Sequence, residues 1–365
     1  MEKKNIFVFA FFSFFACGKA FEGGEKKNQV APLNFSCETS LVEVKSTLLG
    51  VCATSQQVQD PFFLPAISQY KMITPEYQFK MNVIVPKDGV YDWTASDALY
   101  EYAEKNHVGL FGHALVWYRS NPTWLYQYKN APIILDKKVK DYWEKIVSRY
   151  PNVLAWDVIN EAVEEDHYRN ELMYNAFSEK YIETAFRYVH AINPTALLFY
   201  NDYDLEKSSK KRAFTQAMIR NLLRKKVPIH GIGLQFHWGL DFPNLDEVNV
   251  ALTEITQLGL KIHFSEIDVR LNMEGKKDFV PSSEELLQQA AIYKKIGQLF
   301  MSIPADLQYG ITFWGVTDET SWIPGETGNP DAPTMFFSSQ SPKPAYFSFL
   351  QQINPASCEK EKTLL

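Results

Sequence analysis

Eight short apolar runs, separated by longer amphipathic stretches, recur along the chain between residues 48 and 316. The runs are residues 48–53, 71–75, 108–117, 153–160, 196–203, 231–237, 261–269 and 309–316, short enough for strands covered on both faces. Between them, residues 95–106, 137–150, 179–192, 210–224, 246–258 and 283–301 repeat apolar side chains at helical spacing. Strands alternating with helices in this way predict an α/β fold, a (β/α)8 TIM barrel. A doubly wound open sheet shares the alternation. Its dinucleotide fingerprint is missing, because the Gly-rich candidate Gly231-Ile232-Gly233 lacks the third glycine. The barrel is therefore the expected architecture, as a single domain over residues 41–355.

Composition narrows the class of molecule. With 46% hydrophobic and 22% charged residues, the 365-residue chain has the make-up of a globular protein, which excludes collagen-like or wholly disordered architectures. A net charge of −6 argues against nucleic acid or an anionic membrane surface as partner. Aromatic residues make up 15% of the chain, including eight Trp; that supplies a large aromatic core and also suits flat platforms for sugar rings.

The N-terminus has its own signature. Lys3 and Lys4 precede the run IFVFAFFSFFA at residues 6–16, a basic segment followed by an apolar one too short to span a bilayer, as in a secretory signal peptide. Ala16 directly before Cys17 resembles a bacterial lipoprotein signal, in which Cys17 becomes the lipidated first residue of an exported, membrane-anchored protein at the cell surface or in the periplasm. Phe14 is bulkier than that pattern prefers, so cleavage after Ala20 and full secretion stays open. Residues 17–40 read as a polar tether and residues 356–365 as a charged tail. Past the leader no run of 18 apolar residues exists, so any attachment to a membrane is expected through the lipid on Cys17. Cys52 lies in an apolar run and reads as a buried hydrophobe, while Cys37 and Cys358 flank the domain and are a possible disulfide. No CxxC pair supports a zinc or redox site.

Reactive groups in such a barrel gather at the C-terminal ends of the strands. Asn160 and Glu161 end the fourth run; Gln235 and His237 lie on the sixth; Glu266 and Asp268 lie on the seventh. His113 and Trp117 belong to the third run, Glu76 follows the second, and Trp314 ends the eighth. The strand period of two makes Gln235 and His237 share a face, and likewise Glu266 and Asp268, and it sends His263 and Glu266 to opposite sides. The last point argues against a metal site there. Two carboxylates, Glu161 and Glu266, are thus expected to face each other across the barrel mouth. Such a pair either binds divalent metal or cleaves glycosidic bonds. The surrounding Asn, Gln, His, Lys and Trp suit hydroxyl recognition and ring stacking better than metal ligation. One buried Glu alone reads equally as an ion-pair partner; two, each beside amide or imidazole groups, point to a site.

The segments GHALVW, WDVINEA, YNDYD, VPIHGIGLQFHW, HFSEIDVRL, ITFWGVTDETSWIPG and SPKPAY, in that order, resemble glycoside hydrolase family ten, the retaining endo-β-1,4-xylanases. The resemblance implies roles position by position. Glu161 is the general acid/base and Glu266 the nucleophile. His237 orients Glu266, with Asp268 behind its imidazole, and Asn160 bonds the sugar 2-hydroxyl at the cleavage point. Lys80, His113 and Gln235 fall where the family holds the sugar on the non-reducing side, and Glu76 matches the substrate-binding Glu of the family's TPEN. Trp117, Trp314 and Trp322 match the aromatic walls of the cleft, with packing at the barrel rim as the alternative for Trp117. The implied substrate is a xylan-type β-1,4-linked polysaccharide, handled by a monomer with no cofactor and no metal.

Several positions depart from the family pattern. Tyr77 replaces the Asn of TPEN, Tyr118 a His, Ser120 a Gln, Met81 a Trp, Phe236 a Ser and Phe337 an Asp. These mismatches are expected to fall in the substrate cleft and to change chain-length preference or the sugar accepted. A related β-glycanase or exo-acting glycosidase is the alternative within the same chemistry. A carbohydrate-binding lipoprotein is the alternative outside it, opposed by the presence of Glu161, Glu266, Asn160, His237 and Asp268 together.

Overall fold

In the computed structural model, which describes residues 40–44, 47–241 and 244–355, eight parallel strands close on themselves. They are β1 (Leu49–Ala53), β2 (Met72–Pro75), β3 (Gly109–Gly112), β4 (Ala155–Asn160), β5 (Leu197–Asp202), β6 (Gly231–Leu234), β7 (Lys261–Arg270) and β8 (Gln308–Phe313). Each pairs with its sequence neighbours, and β8 pairs with β1 to complete the barrel. The expected (β/α)8 architecture is the observed one. The leader, Cys17, Cys37, Cys358 and the tail lie outside the described residues; Cys52 is buried in β1.

The strands are buried on both faces, which is why they read as continuous apolar runs. Inside the barrel floor, Met72, Phe111, Ala155 and Phe199 pack together, with Tyr309 against them. Outside, the larger core lies between the strands and α1 (Thr94–Asn106), α2 (Pro132–Arg149), α3 (Lys180–Ile192), α4 (Ser209–Arg224), α5 (Leu245–Thr256) and α6 (Ser283–Ser302). A last helix, α7 (Pro344–Ile353), packs on α6. Local chemistry sets the helix starts. Pro132 opens α2, where a missing N–H costs nothing, and Ser208 accepts from Lys211 N at the head of α4. At α6, Ser282 accepts from Glu285 N while the Glu285 carboxylate takes the Ser282 N–H at 2.7 Å. Among the described residues no helix is long and apolar enough to cross a membrane.

Several strands depart from simple periodicity, and three of these departures shape the mouth. The third run is not one strand: β3 stops at Gly112, a cis His113–Ala114 peptide follows, and Val116–Trp117 then resumes a short ladder against β4. The sixth run breaks at Phe236, whose φ is 58°, and His237–Gly239 then pairs with β7. In β7 the register against β8 shifts between Phe264 and Ile267, a bulge. The bulge overturns the expectation for His263 and Glu266. The His263 ring packs tilted against Phe111 at 4.7 Å and edge-on against Tyr309 at 5.2 Å, rings from β3 and β8 that meet only inside the barrel, and Glu266 turns inward as well.

Candidate active site

The C-terminal ends of the strands surround a cleft of about 580 Å3. Glu76, Lys80, His113, Trp117, Asn160, Glu161, Gln235, His237, Glu266, Trp314 and Trp322 all line it. Asp268 stands behind His237, bonded to it rather than facing the cleft.

Glu161 follows β4 in the left-handed region, with φ 57°. For a non-glycine residue that conformation costs roughly 1 kcal/mol or more, and surrounding bonds must hold it. Glu161 N donates to Asn201 O at 2.9 Å, and Arg169 Nε donates to Glu161 O at 3.0 Å. The turn aims the carboxylate into the cleft, where Trp117 Nε1 donates to one oxygen at 2.9 Å and Gln235 Nε2 to the other at 3.0 Å.

Glu266 sits deeper. Asn201 Nδ2 donates to it at 2.6 Å, and His237 Nε2 lies 3.3 Å from its other oxygen. The far nitrogen of His237 is 2.9 Å from Asp268, which also takes the Trp322 indole N–H at 2.8 Å. Burial pushes the Glu266 carboxyl up, but the charge on His113, the His237 bond and charge, and Lys80 outweigh it and hold the group down to about 2. Burial pushes His237 down; the charge and hydrogen bond of Asp268, then Glu266, outweigh that and raise it to about 10. At neutral pH Glu266 is an ionised carboxylate beside an imidazolium.

The two carboxylates are joined by amides. Asn201 Nδ2 donates to Glu266 and, at 2.9 Å, to Asn160 Oδ1. Gln235 Nε2 donates to the same Asn160 oxygen at 3.3 Å and to Glu161 at 3.0 Å. Every strand from β4 to β7 thus contributes to one hydrogen-bonded unit running from Glu266 to Glu161.

The opposite wall is charged and aromatic. The Lys80 ammonium lies 4.2 Å from the Trp117 ring; burial pushes its pKa down against the pull of Glu266. Burial pushes Glu76 up, with Lys80 acting against it. His113 Nδ1 is 2.8 Å from Asp157, and Trp314 meets the His113 ring edge-on at 5.1 Å. Among the described residues no group of three or more His, Cys, Asp or Glu is placed to hold a metal ion.

Four residues of this constellation received no role from the sequence, Asn201, Tyr203, Asp157 and Arg169, although the first three lie in the segments YNDYD and WDVINEA. Asn201 and Tyr203 stand at the end of β5 and just after it, so the polar-strand-end rule applied to that strand would have found them. Asp157 lies mid-strand, and Arg169 lies in a hairpin after β4. Arg169 Nη2 donates to the Tyr203 hydroxyl at 2.8 Å, and its guanidinium packs 4.3 Å from the Tyr118 ring. Arg169 carries no local signal, and Asp157 only that of a charge inside an apolar run.

The departures from the family pattern do not all fall in the cleft. Tyr77 and Tyr118 line it, and Ser120, buried, bonds Trp117 O at 3.0 Å. Phe236 is fully buried and stacks on Phe264 at 4.2 Å, because its left-handed backbone turns it away from the mouth. Met81 is in the core, and Phe337 lies beside Lys343.

Residues 39–352 match the model of Glycosyl hydrolase family 10. The chain is 33% identical over 330 residues to endo-1,4-beta-xylanase A of Caldicellulosiruptor sp. (strain Rt8B.4), covering 86% of this chain and 47% of that protein. It therefore spans about half the length of that relative. It is 33% identical to the beta-1,4-xylanase of Dictyoglomus thermophilum over 77% of this chain and 82% of that one. Xylanase 10B from Thermotoga petrophila RKU-1, solved in complex with xylobiose, superposes with a TM-score of 0.80 at 31% identity, over 91% of this chain and 99% of that one.

Proposed function

The chain belongs to glycosyl hydrolase family 10, and from that membership and the geometry of its cleft we propose that it hydrolyses internal β-1,4-xylosidic bonds of xylan by a retaining double displacement. Glu266, ionised, attacks the anomeric carbon. Glu161, protonated, gives its proton to the glycosidic oxygen as that bond breaks, leaving a glycosyl ester on Glu266 and a free leaving sugar. A water then gives a proton to Glu161 and attacks the same carbon; the ester bond breaks and Glu266 departs as a carboxylate. Two inversions at one carbon leave its configuration unchanged.

The amide bridge from Glu266 through Asn201, Asn160 and Gln235 to Glu161 carries this reading. It fixes two carboxylates in one cleft and gives them unlike surroundings: Glu266 faces a cation, Glu161 faces neutral N–H donors. That division of labour is what an acid and a nucleophile need. His237 orients Glu266, with Asp268 and Trp322 setting its ring. In this reading Asn160 bonds the 2-hydroxyl, Lys80, His113 and Gln235 hold the sugar on the non-reducing side, Glu76 binds substrate beside them, and Trp117 and Trp314 face the sugar rings. The xylanase relatives support xylan as the polysaccharide.

The test is hydrolysis of xylan and short xylo-oligosaccharides, with products resolved by size and the first-released anomer read by NMR. At early times wild type should release xylobiose and xylotriose from xylan as the β-anomer, and Glu266→Ala should give nothing. Release of the α-anomer, or turnover by the variant, would remove the double displacement.

We also propose that the enzyme is exported as a monomer and anchored by lipid on Cys17. Cys17→Ser should move it from the membrane to the soluble fraction, and light scattering should return the mass of one chain. Continued membrane attachment of the Ser variant would exclude that anchor.

A further inference from the structure

Glu76, Tyr77 and Lys80 follow β2 and line the cleft, and in the reading proposed above the non-reducing side of the substrate lies over this sector of the mouth. Around it the loops are tied into a closed ring. Gln57, after β1, donates Nε2 to Thr320 Oγ1, after β8, at 2.8 Å. Its neighbour Gln56 accepts from the Tyr77 hydroxyl at 3.4 Å. Lys80 sets its ammonium 4.2 Å from the Trp117 ring, after β3. Arg119, two residues beyond Trp117, reaches Glu326, after β8, with Nη2 at 3.2 and 3.4 Å from the two carboxylate oxygens.

Strands β8, β1, β2 and β3 are consecutive around the barrel. The first three contacts join neighbours; the fourth passes over two strands and closes the ring. Arg119 and Glu326 both line the cleft. We infer that this collar confines the non-reducing arm of the cleft, so that short β-1,4-xylo-oligosaccharides are better substrates than the polymer, with Arg119 and Glu326 as the specificity-determining pair. The inference rests on the xylan reading above.

A chain that extends past the first sugars on this side has to thread the ring or part the ion pair, and a branched chain is wider still. Tyr77 adds bulk to the same ring where the family pattern has an Asn. The Arg119 and Glu326 side chains are 47% and 50% exposed, so the pair is screened by salt and opens readily. It hinders long chains without barring them.

The experiment compares the rate on unbranched, neutral xylan with the rate on xylotriose, for the full chain and for Arg119→Ala, Glu326→Ala and the charge-exchanged double variant Arg119→Glu/Glu326→Arg. The polymer-to-trisaccharide ratio should rise about fivefold in each Ala variant, the effect of losing a surface pair, and should fall back in the exchanged pair. In wild type the ratio should also climb between low salt and about 0.5 M, where the Debye length is only a few ångströms. A ratio unmoved by either Ala variant overturns the inference, as does a salt-independent wild-type ratio should the variants fail to fold. Wild type that cleaves neither substrate defeats the xylan reading instead.

Discussion

Asn201 is fully buried and makes three contacts at the centre of the site. Its amide donates to Glu266 at 2.6 Å and to Asn160 Oδ1 at 2.9 Å, and its carbonyl takes the Ser265 hydroxyl at 2.6 Å. Asn201→Ala removes a hydrogen bond to an ionised group, worth about 1.5–3 kcal/mol, from a carboxylate held at about 2. At about 1.4 kcal/mol per pH unit, the acid limb of kcat/KM should move up by roughly 1–2 units. Asn160 loses the partner that orients it as well, and kcat/KM at the optimum should fall about 10- to 100-fold. Ser265 loses its acceptor, which costs a further ~1–3 kcal/mol of stability. Asn201→Asp keeps the shape and the Ser265 contact but sets a second carboxylate against Glu266, so it should be the less active variant of the two. The assay is kcat/KM against pH on an aryl β-xylobioside, with urea unfolding of the same proteins. An acid limb that stays put, together with kcat/KM within about threefold of wild type, would refute the view that Asn201 holds the nucleophile.

Other consequences are as direct. A Cβ on Gly233 would meet Asn201 Oδ1 at 2.1 Å, so Gly233→Ala should displace that amide, lower stability by about 1–3 kcal/mol and reproduce much of the Asn201→Ala kinetics; denaturation and kcat/KM check both. Trp322→Phe keeps an aromatic side chain but removes the indole N–H that bonds Asp268 at 2.8 Å; unfolding should become easier by roughly 1–3 kcal/mol and KM should rise, and wild-type stability in this variant would argue that the bond is idle. Stability should also follow the two shifted groups. Glu266, depressed from 4.5, contributes above about pH 4.5 and loses that contribution as pH falls through about 2. His237, raised from 6.5, contributes fully below about pH 6.5 and loses that contribution as pH climbs through about 10. Thermal melts from pH 2 to 11 should therefore be highest between about pH 4.5 and 6.5, and a flat profile up to pH 10 would contradict the raised imidazole.

Much of this protein is legible in its amino-acid order. The eight apolar runs locate the eight barrel strands, and the amphipathic stretches locate α1 to α6, because both faces of a barrel strand and one face of each helix must leave water. The pairing of Glu161 with Glu266 follows from the same order, since a barrel puts every strand's C-terminal end on one rim. What the residues alone do not determine lies where the backbone stops being periodic. The bulge in β7 turns His263 and Glu266 to the same side, and the left-handed turn at Phe236 sends its ring into the core. Asn201 matters because Glu266, Asn160 and Ser265 come within reach of one amide, and Arg119 because Glu326 does. Those contacts join positions as much as 207 residues apart, and they exist only once the barrel has closed. Periodicity reports how a segment meets water; which polar atoms meet one another at the mouth is decided by closure and by the local kinks that closure holds in place.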